Sequence, residues 1–397
     1  MLYYVGDSFD ATGITVTANY SDGMSREVSG WTNDFSSDVI SNGKTVAVSY
    51  TDCGVTVSTT FTVYIASTDA KPTERPVELT DYTGSVTGGT YYKFGDFPQT
   101  ISALSGVGAY TAAPVYKGYY LGSDGYFYAK CTENAFQNNY TYSDGTTAEQ
   151  STSNSEKYFK VEPIVWRAVT ESFDHDADGN GDKTLLVAEH VLTANVPYYG
   201  EAMERQLSGK TVYASNYKYS NLRAYLNGML NQFVTDGGPA TSYDIDWSGN
   251  GFIDSAFTSS AQALVATTTV DNSASSTSDS GGNLAKATDY ACDNTEDKIF
   301  LLSTKEVTTS GYGFGAYNKL DNNRIRLTTD YAIANYALHR GTGGAGGLWF
   351  LRSPCSSTIN GSNGSYEVIP VSDRGYLLGH GSVDFLNGGI VPALCLK

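Results

Sequence analysis

Cysteine and histidine are scarce in this chain, and their spacing excludes two kinds of metal site. The 397 residues include five cysteines and four histidines, with no CxxC, HxH or HExxH pattern among them. Closed thiolate sites and catalytic zinc sites need ligands at such spacings, so neither is expected. The sequence leaves open one disulfide between two of the last three cysteines, without assigning it. The cysteines are Cys53, Cys131, Cys292, Cys355 and Cys395.

Positively charged residues are few, and long hydrophobic runs are absent. Lysine and arginine total 25 against 42 aspartates and glutamates, which gives a formal net charge of −17. So acidic a surface repels phosphate backbones and anionic headgroups, which argues against nucleic acid or an anionic membrane surface as a partner. No run of 18 apolar residues occurs, so no direct membrane insertion is expected.

The start of the chain has no signal peptide, because strand-like sequence follows Met1 at once. We therefore expect the chain to be part of a longer exported precursor whose export signal and anchor lie outside this sequence. Low cysteine usage fits an extracellular protein of the bacterial cell surface that does not depend on disulfides.

Tyrosine is abundant instead, with 31 copies, and only 17% of the residues are charged. Most of the polar surface must therefore come from serine, threonine, asparagine, glycine and tyrosine. These residue types build adaptable recognition surfaces, because tyrosine gives a large contact area at low entropic cost. The alternative is that exported β-rich proteins share this composition whatever their function.

Residues 1–66 alternate between apolar and polar side chains, with turn residues between the alternating runs. The alternation predicts an all-β sandwich. Residues 5–10, 20–23 and 46–51 (Val-Gly-Asp-Ser-Phe-Asp, Tyr-Ser-Asp-Gly and Val-Ala-Val-Ser-Tyr-Thr) resemble bacterial Ig-like repeats of cell-surface proteins. The resemblance implies a spacer or stalk module and no catalytic role.

Residues 67–80 are predicted to be a linker, and 81–397 one large domain. Ser/Thr/Asn/Gly-rich stretches at 132–157 and 271–290 indicate surface loops. Strand patterns outnumber helix patterns and do not alternate with them, which favours an α+β domain. Helices are predicted at 220–228, 255–265 and 329–338. Strands are predicted at 161–170, 184–190, 298–303, 348–352, 366–371, 375–378 and 390–396.

A series of short segments in the larger domain carries a second resemblance. The segments are residues 93–99, 162–167, 185–189, 221–227, 253–258, 298–303, 348–354 and 389–394. In this order they resemble an uncharacterised bacterial family, a domain of unknown function in exported proteins. The family ends in a Trp-Leu-Arg-Ser-Pro segment, a variable polar stretch and Gly-Val-Arg-Pro-Ala-Leu. This chain has Cys355 after Ser-Pro and Val391 in place of that second arginine.

The ending of this family is similar to the C-type-lectin-like fold of formylglycine-generating-enzyme relatives. It is also similar to variable proteins of diversity-generating retroelements, in which the stretch between the two anchors is diversified. The resemblance implies a C-type-lectin-like domain whose ligand-binding surface lies in residues 356–387. The predicted ligand-binding residues are Tyr366, Glu367, Ser372, Arg374, Tyr376, His380, Asp384 and Leu386. The alternative for this stretch is an ordinary solvated β-meander.

An aspartate-rich loop at residues 174–182 is a candidate Ca²⁺ site, because carboxylates alternate around a glycine. The predicted ligands are Asp174, Asp176, Asp178, Asn180 and Asp182. A full EF-type loop would need a glutamate where Leu185 stands. The alternative is a hairpin tip, in which aspartate and glycine serve turn geometry.

Two further segments are weaker candidates for a site. Residues 244–254 form a second oxygen-rich loop, for which the alternative is a polar loop leading into a helix. The glycine-rich residues 341–347 lack the lysine of a phosphate-binding loop and favour a turn.

These observations predict a binding module without a catalytic centre. The partner would be a protein or a glycan on a host or neighbouring cell, with Ca²⁺ the one candidate cofactor. One alternative is a surface enzyme, either a thiol-dependent oxidase using Cys355 and Cys395 or a glycosidase using a carboxylate pair that no spacing singles out. The other is a purely structural adhesin stalk.

Overall fold

The computed structural model divides the chain into two compact units. It describes residues 1–102, 107–138, 140–150, 155–339, 346–356 and 364–397. The smaller unit comprises residues 1–71 and 102–130, and the larger unit residues 72–101 and 131–397. Residues 102–130 thus group with the smaller unit, although the sequence placed them in the larger domain.

Strands dominate the first third of the chain. They are β1 Leu2–Tyr4, β2 Thr17–Asn19, β3 Ser25–Glu27, β4 Thr32–Asn33, β5 Ser41–Asp52, β6 Val55–Ala66, β7 Val77–Glu78, β8 Tyr91–Ser102, β9 Tyr120–Leu121 and β10 Phe127–Thr132. A sheet of order β1-β6-β5-β4 forms the smaller unit, beside the separate β2–β3 hairpin. The all-β prediction for the N-terminal part is therefore confirmed.

The β5–β6 hairpin is the main element of the smaller unit. Asp52 pairs with Val55, so the turn consists of Cys53 and Gly54, which have φ values of +49° and +81°. Two consecutive residues with positive φ make the two-residue turn that matches the twist of antiparallel strands. Apolar side chains that alternate along the two strands, including the fully buried Val63, then face one core.

The predicted linker is partly structured. Thr68–Ala70 forms a 3₁₀ turn and β7 pairs with β8. Within the smaller unit, the Ser67 amide donates to the Gly125 carbonyl at 2.9 Å, which ties residues 102–130 to the strands.

The larger unit contains the remaining strands. They are β11 Glu156–Phe173, β12 Lys183–Ala188, β13 His190–Val191, β14 Arg205–Leu207, β15 Lys210–Val212, β16 Val265–Ala266, β17 Thr268–Val270, β18 Thr295–Asp297, β19 Ile299–Phe300, β20 Leu327–Thr328, β21 Trp349–Pro354, β22 Glu367–Val371, β23 Gly381–Ser382 and β24 Ala393–Leu396. Its central sheet has the order β16-β24-β12-β11, with β8 also paired to β11 and β19 to β24.

The central sheet supports the core of the larger unit. Ile164 and Trp166 on β11 and Leu186 on β12 are fully buried. The indole nitrogen of Trp166 donates to the Phe94 carbonyl at 2.7 Å, so this buried side chain keeps its polar atom bonded. The predicted strands at 161–170, 184–190, 348–352 and 366–371 correspond to β11, β12, β21 and β22. Residues 375–378 form no strand, although Leu377 bridges Val371.

The helices are short, so the larger unit is mostly β. They are α1 Asn221–Asn227, α2 Gln232–Thr235, α3 Phe252–Ala256, α4 Ser259–Gln262, α5 Ala274–Thr277 and α6 Asp330–Ala334. The predicted helix at 255–265 is broken by Phe257 and Thr258, which have extended backbones. Within the described ranges, no helix is long and apolar enough to cross a membrane.

Parts of both low-complexity stretches pack into the protein, whereas residues 143–147 and 280–283 are exposed, as expected for surface loops. Residues 139 and 151–154 lie outside the described residues. Ser276 and Thr277 on α5 are buried, as are Tyr140 and Tyr142 in the other stretch. The hydroxyl of Tyr142 donates to Glu133 at 2.6 Å. Polar side chains that bond to each other or to nearby backbone can be buried at little cost, which composition alone does not reveal.

Candidate functional site

The aspartate-rich loop is the tip of the hairpin between β11 and β12. Its backbone is held by its own carboxylates: Asp174 accepts hydrogen bonds from the amides of Asp178 and Gly179, and Asp178 accepts from the Asn180 amide at 2.7 Å. Carboxylate oxygens of Asp174, Asp176 and Asp178 lie within 4.8 Å of one another. Three of the five predicted Ca²⁺ ligands therefore converge.

The other two predicted ligands, Asn180 and Asp182, bond to neighbouring side chains. The amide nitrogen of the Asn180 side chain donates a 3.1 Å hydrogen bond to the Asp178 carboxylate. Asp182 forms ion pairs with Lys183 and, at 3.0 Å, with His175. These contacts hold the pKa of the exposed Asp182 carboxyl below its usual value, first through its hydrogen bond with Lys183. The hairpin-tip geometry is therefore present together with a three-carboxylate cluster.

The second oxygen-rich loop brings no such group together. Asp244 lies buried against Arg205 with a 3.1 Å ion pair. Asp246 accepts a 3.0 Å hydrogen bond from the Ser248 amide within its own turn. Asp254 accepts one from the Gly251 amide at the start of α3. Each carboxylate thus serves the local backbone or a buried partner, as the alternative for this loop predicted.

The predicted binding stretch folds as two turns on the sheet β21-β22-β23. The first turn spans residues 372–376, where the Ser372 amide donates to the Tyr376 carbonyl at 2.8 Å. The second follows β23 and carries Asp384, Phe385 and Leu386. Amides of residues 195 and 199 donate to the carbonyls of Leu386 and Val383, which fixes the second turn to the rest of the unit. Residues 357–363 of the stretch, like 341–345 of the glycine-rich segment, lie outside the described residues.

Five of the eight predicted ligand-binding residues are exposed on these turns. They are Arg374, Tyr376, His380, Asp384 and Leu386. Tyr366 and Glu367 are only partly exposed, and Tyr366 packs against the core. Ser372 is buried, and its hydroxyl accepts hydrogen bonds from the amides of Arg374 and Tyr376. Ser372 is thus a turn-forming residue with little exposed surface, and its contact with a ligand stays a prediction.

The sequence prediction missed Phe385, which lies between two predicted residues. Its side chain is 51% exposed, next to Leu386 at 39%, and Tyr376 on the other turn is also 39% exposed. An exposed phenylalanine beside an exposed leucine is the signal that could have found it, because such side chains are usually withdrawn from water.

The strand below these turns is fully buried. Arg352 on β21 donates to the carbonyls of Leu301 and Asp271 and pairs with both oxygens of Glu306 at 2.7 and 2.8 Å. Glu306 raises the pKa of Arg352 against the opposing effect of burial. The arginine of the Leu-Arg-Ser-Pro segment is therefore a structural hydrogen-bond donor.

A cavity of about 410 Å³ opens beside this ion pair, and the sequence prediction missed it. Its wall includes Asp174 of the acidic loop at one side and the Arg352–Glu306 pair at another. The remaining wall combines hydroxyl, amide and charged side chains with aromatic rings. Among these residues are Thr269, Asn294, Ser303, Lys305, Phe300 and Tyr312. Polar groups mixed with aromatic faces can hold a small polyhydroxylated ligand.

A second cavity, of about 430 Å³, contains a carboxylate pair, Glu162 and Asp330. Asp330 accepts 2.9 Å hydrogen bonds from the amides of Ile101 and Ser143. Glu162 accepts from the amide and hydroxyl of Thr100. Both carboxylates therefore connect distant segments of the chain, which is a structural task and does not single them out as an acid and a base.

The five cysteines are all unpaired, so the disulfide left open by the sequence is not formed. Cys355 and Cys395, the pair considered for a thiol oxidase, are both buried. Burial raises the pKa of the Cys395 thiol to about 12 and that of the Cys355 thiol still further. Neither is a reactive thiolate near neutral pH.

Comparison with known proteins gives two matches to family models. Residues 181–397 match the family described as a domain of unknown function, DUF6273. Residues 1–64 match the bacterial Ig-like domain of group 3. No curated protein and no solved structure matches the chain.

Proposed function

The chain belongs to the DUF6273 family, a domain of unknown function, and we propose that its larger unit is a ligand-binding module displayed on the bacterial cell surface. The bacterial Ig-like domain ahead of it, of a kind typical of surface proteins, would act as a spacer. The strongly acidic composition supports a partner other than nucleic acid.

One observation carries this proposal. Exposed side chains lie on and beside the two turns of the C-terminal sheet. Arg374, Tyr376 and His380 precede β23 in the sequence, and Asp384 to Leu386 follow it. They are fixed to a strand, β21, whose side chains are all buried. Exposed turns on a rigid scaffold are the usual place for binding residues, because the scaffold limits the entropy lost when a ligand is bound.

The side chains on these turns favour a protein as the ligand. Exposed aromatic rings next to an arginine are the residue types that dominate the energy of protein interfaces. Arg374 and Asp384 carry opposite charges, which would select a partner by charge complementarity more than by overall attraction. The partner would lie on a host cell or a neighbouring bacterial cell.

Two finer proposals concern the origin of this surface. We propose that the larger unit is a variant of the C-type-lectin-like fold. We also propose that residues 356–387 are diversified between copies by a retroelement. The buried strand followed by exposed turns supports both, because it separates a constant framework from positions that tolerate change.

The test is substitution of the six exposed turn residues by alanine. A ligand is first found by screening the whole chain against arrayed cell-surface proteins and glycans. The variant should then bind that ligand on the order of 100-fold more weakly, since interface hot spots contribute about 2 kcal/mol or more each. Its melting temperature should stay within a few degrees of wild type. The six residues are Arg374, Tyr376, His380, Asp384, Phe385 and Leu386.

A matched control removes equally exposed apolar side chains from the smaller unit. Met24, Val55 and Val57 are each more than half exposed. Their replacement by alanine should leave binding unchanged. Binding that survives the turn substitutions, or is lost with the control set, would place the site elsewhere.

A second candidate function is glycan binding in the cavity beside Arg352. It is favoured by the cavity's size and by its hydroxyl, amide and aromatic lining. Asn294 and Lys305 are exposed and can be changed to alanine, at the loss of the hydrogen bond that Asn294 accepts from the Asn272 amide. Loss of a glycan from the array with these two changes, and not with the turn variant, would support the cavity and contradict the turn surface.

We propose the acidic loop as the Ca²⁺ site of the chain. The convergence of Asp174, Asp176 and Asp178 supports it, and the remaining ligands would be water or carbonyl oxygens. The loop borders the cavity through Asp174 and Ala177. Ca²⁺ bound there would add positive charge at the rim of the glycan candidate site.

Catalysis and a purely structural role are the alternatives to ligand binding. A thiol oxidase would need Cys355 or Cys395 as a thiolate, which their burial opposes. A glycosidase would need two carboxylates with different proton affinities across one sugar-binding cavity. A stalk without a site predicts that neither screen retains a ligand.

A further inference from the structure

Two arginines from distant parts of the chain are buried together in the larger unit. Arg167 lies on β11, opposite Val187 of β12, and is 2% exposed. Arg326 precedes β20 and is fully buried. Burial and then the positive charge of Arg326 lower the pKa of Arg167 to about 9. Two like charges in one dry region are costly unless an opposite charge joins them.

Neither guanidinium has all its donors bonded. Arg326 donates from Nη1 to the carbonyls of Asn323 and Ile325, at 3.1 and 2.9 Å. Its Nε and Nη2, and the same two nitrogens of Arg167, are buried without a hydrogen-bond partner among the described residues. An unpartnered buried donor on a charged group costs several kcal/mol if nothing else binds it.

Two neighbouring buried arginines, Arg324 and Arg352, are fully partnered, which makes this pair unusual. Arg324 is also fully buried, and it donates to five backbone carbonyls at 2.7 to 3.2 Å. Arg352 pairs with Glu306 and two carbonyls. Among the described residues, Arg205 leaves one buried nitrogen open, its Nε, whereas Arg167 and Arg326 leave two each.

The charges of the region sum to one excess positive charge. Glu189 and Asp321 are the carboxylates that act on both arginines, and the oxygens of Glu189 accept hydrogen bonds from the amide and hydroxyl of Ser85. Asp321 lies 3.6 Å from Arg324 and offsets that third arginine. Burial lowers the pKa of the adjacent His190, so this side chain adds no charge near neutral pH. The three arginines carry one more positive charge than the two carboxylates neutralise, and one monovalent anion would balance it.

Aromatic rings orient the two guanidinium groups. The Cζ of Arg167 lies 4.5 Å from the ring centre of Phe314, and that of Arg326 lies 6.0 Å from the ring centre of Trp349. Aromatic contact occupies the flat face of a guanidinium and leaves its edge, which carries the N–H groups, available for an acceptor. Arg167 lies close to the surface at the exposed Gly313, where an added Cβ would lie 3.7 Å from Nη1 of Arg167.

We propose that Arg167 and Arg326 form an internal binding site for one small monovalent carboxylate, such as acetate or formate. The planar fork of N–H groups matches the two oxygens of a carboxylate, and its single charge neutralises the excess charge of the region. The burial of both arginines restricts the site to an anion of this size. This site is separate from the exposed turns and does not depend on their function.

The test is thermal unfolding of the whole chain in chloride buffer, with acetate or formate added at constant ionic strength. The melting temperature should rise saturably with carboxylate concentration, because the ligand binds only the folded state. Arg167→Leu should weaken the apparent affinity by on the order of 100-fold. In chloride alone it should melt no lower than wild type, since it removes a buried charge that lacks partners. Arg374→Leu, on an exposed turn, is the control and should keep the wild-type response.

Glu189→Gln should strengthen acetate binding, whereas Arg167→Leu should weaken it. Removing one of the two carboxylates that act on both arginines should make acetate bind about 3- to 10-fold more tightly, as measured by titration calorimetry. A merely structural role of the cluster would give no such gain. If Arg167→Leu does not fold, Arg167→Lys keeps the charge but loses the fork and should still weaken binding. No saturable response in wild type, an equal response in Arg167→Leu, or weaker binding in Glu189→Gln would overturn the proposal.

Discussion

Arg352 is the residue in this chain whose surroundings most limit substitution. Its guanidinium pairs with Glu306 and bonds to two carbonyls, in a site that is almost without solvent. Arg352→Met would leave Glu306 without its cation and the carbonyls without donors. We expect the free energy of unfolding to fall by about 3–5 kcal/mol, measured by urea denaturation. Arg374→Met, at an exposed position, should change it by less than about 0.5 kcal/mol. Similar losses for the two variants would contradict the structural role of Arg352.

Gly228 fixes how the helix α1 ends. Its φ of +60° is left-handed, and a Cβ there would lie 2.1 Å from Oδ2 of Asp254, the residue that caps α3. Gly228→Ala therefore combines backbone strain with a steric clash, and should lower the free energy of unfolding by more than about 1 kcal/mol.

Gly209 provides the control for this prediction. It has a φ of +77° with nothing within 4 Å of an added Cβ, so Gly209→Ala carries the backbone strain without the clash. The loss for Gly228→Ala should exceed the loss for Gly209→Ala in the same chemical denaturation. Equal losses would mean that α1 and α3 move apart easily and do not fix each other.

Elements with local signals could be predicted from the sequence, and those that depend on distant partners could not. The capping Ser220 and the terminal Gly228 mark the two ends of α1, so its bounds were predicted closely. The segment of α5 was predicted as surface loop because the partners of its backbone are distant in sequence: the Ser276 carbonyl accepts hydrogen bonds from the Lys305 amide and the Ser353 hydroxyl. The same limit applies to Arg167 and Arg326, which are 159 positions apart by their residue numbers.

The acidic loop tests whether a hairpin tip also serves as a metal site. With three converging carboxylates and few other protein ligands, we expect Ca²⁺ to bind with a dissociation constant of about 0.1–1 mM, measured by titration calorimetry. Asp176→Asn combined with Asp178→Asn should abolish the signal. Asp246→Asn, in the loop without convergence, should not change it. A signal that persists in the double variant would place Ca²⁺ elsewhere in the chain.

On the scale of the whole molecule, buried strands and exposed turns lie close together in the last 50 residues. The strands β21 and β24 are almost wholly buried, whereas the turns between them hold the exposed polar and aromatic side chains. A protein that is diversified by mutation needs this separation, because most buried changes cost 1 kcal/mol or more and exposed ones do not. If the proposed surface is correct, the exposed turn positions tolerate substitution and the buried positions do not.

That claim can be tested with two libraries of the whole chain. Random residues at Arg374, Tyr376, His380 and Asp384 should give mostly folded protein, with melting temperatures within a few degrees of wild type. Random residues at the buried Leu377 and Val383 should give mostly unfolded protein, because cavities or buried polar groups result. If a reverse transcriptase gene and a near-copy of the segment encoding residues 350–397 lie beside the coding region, their differences should fall on the first set. Differences concentrated at the buried positions, or equal tolerance in the two libraries, would contradict a diversified binding surface built on a fixed framework.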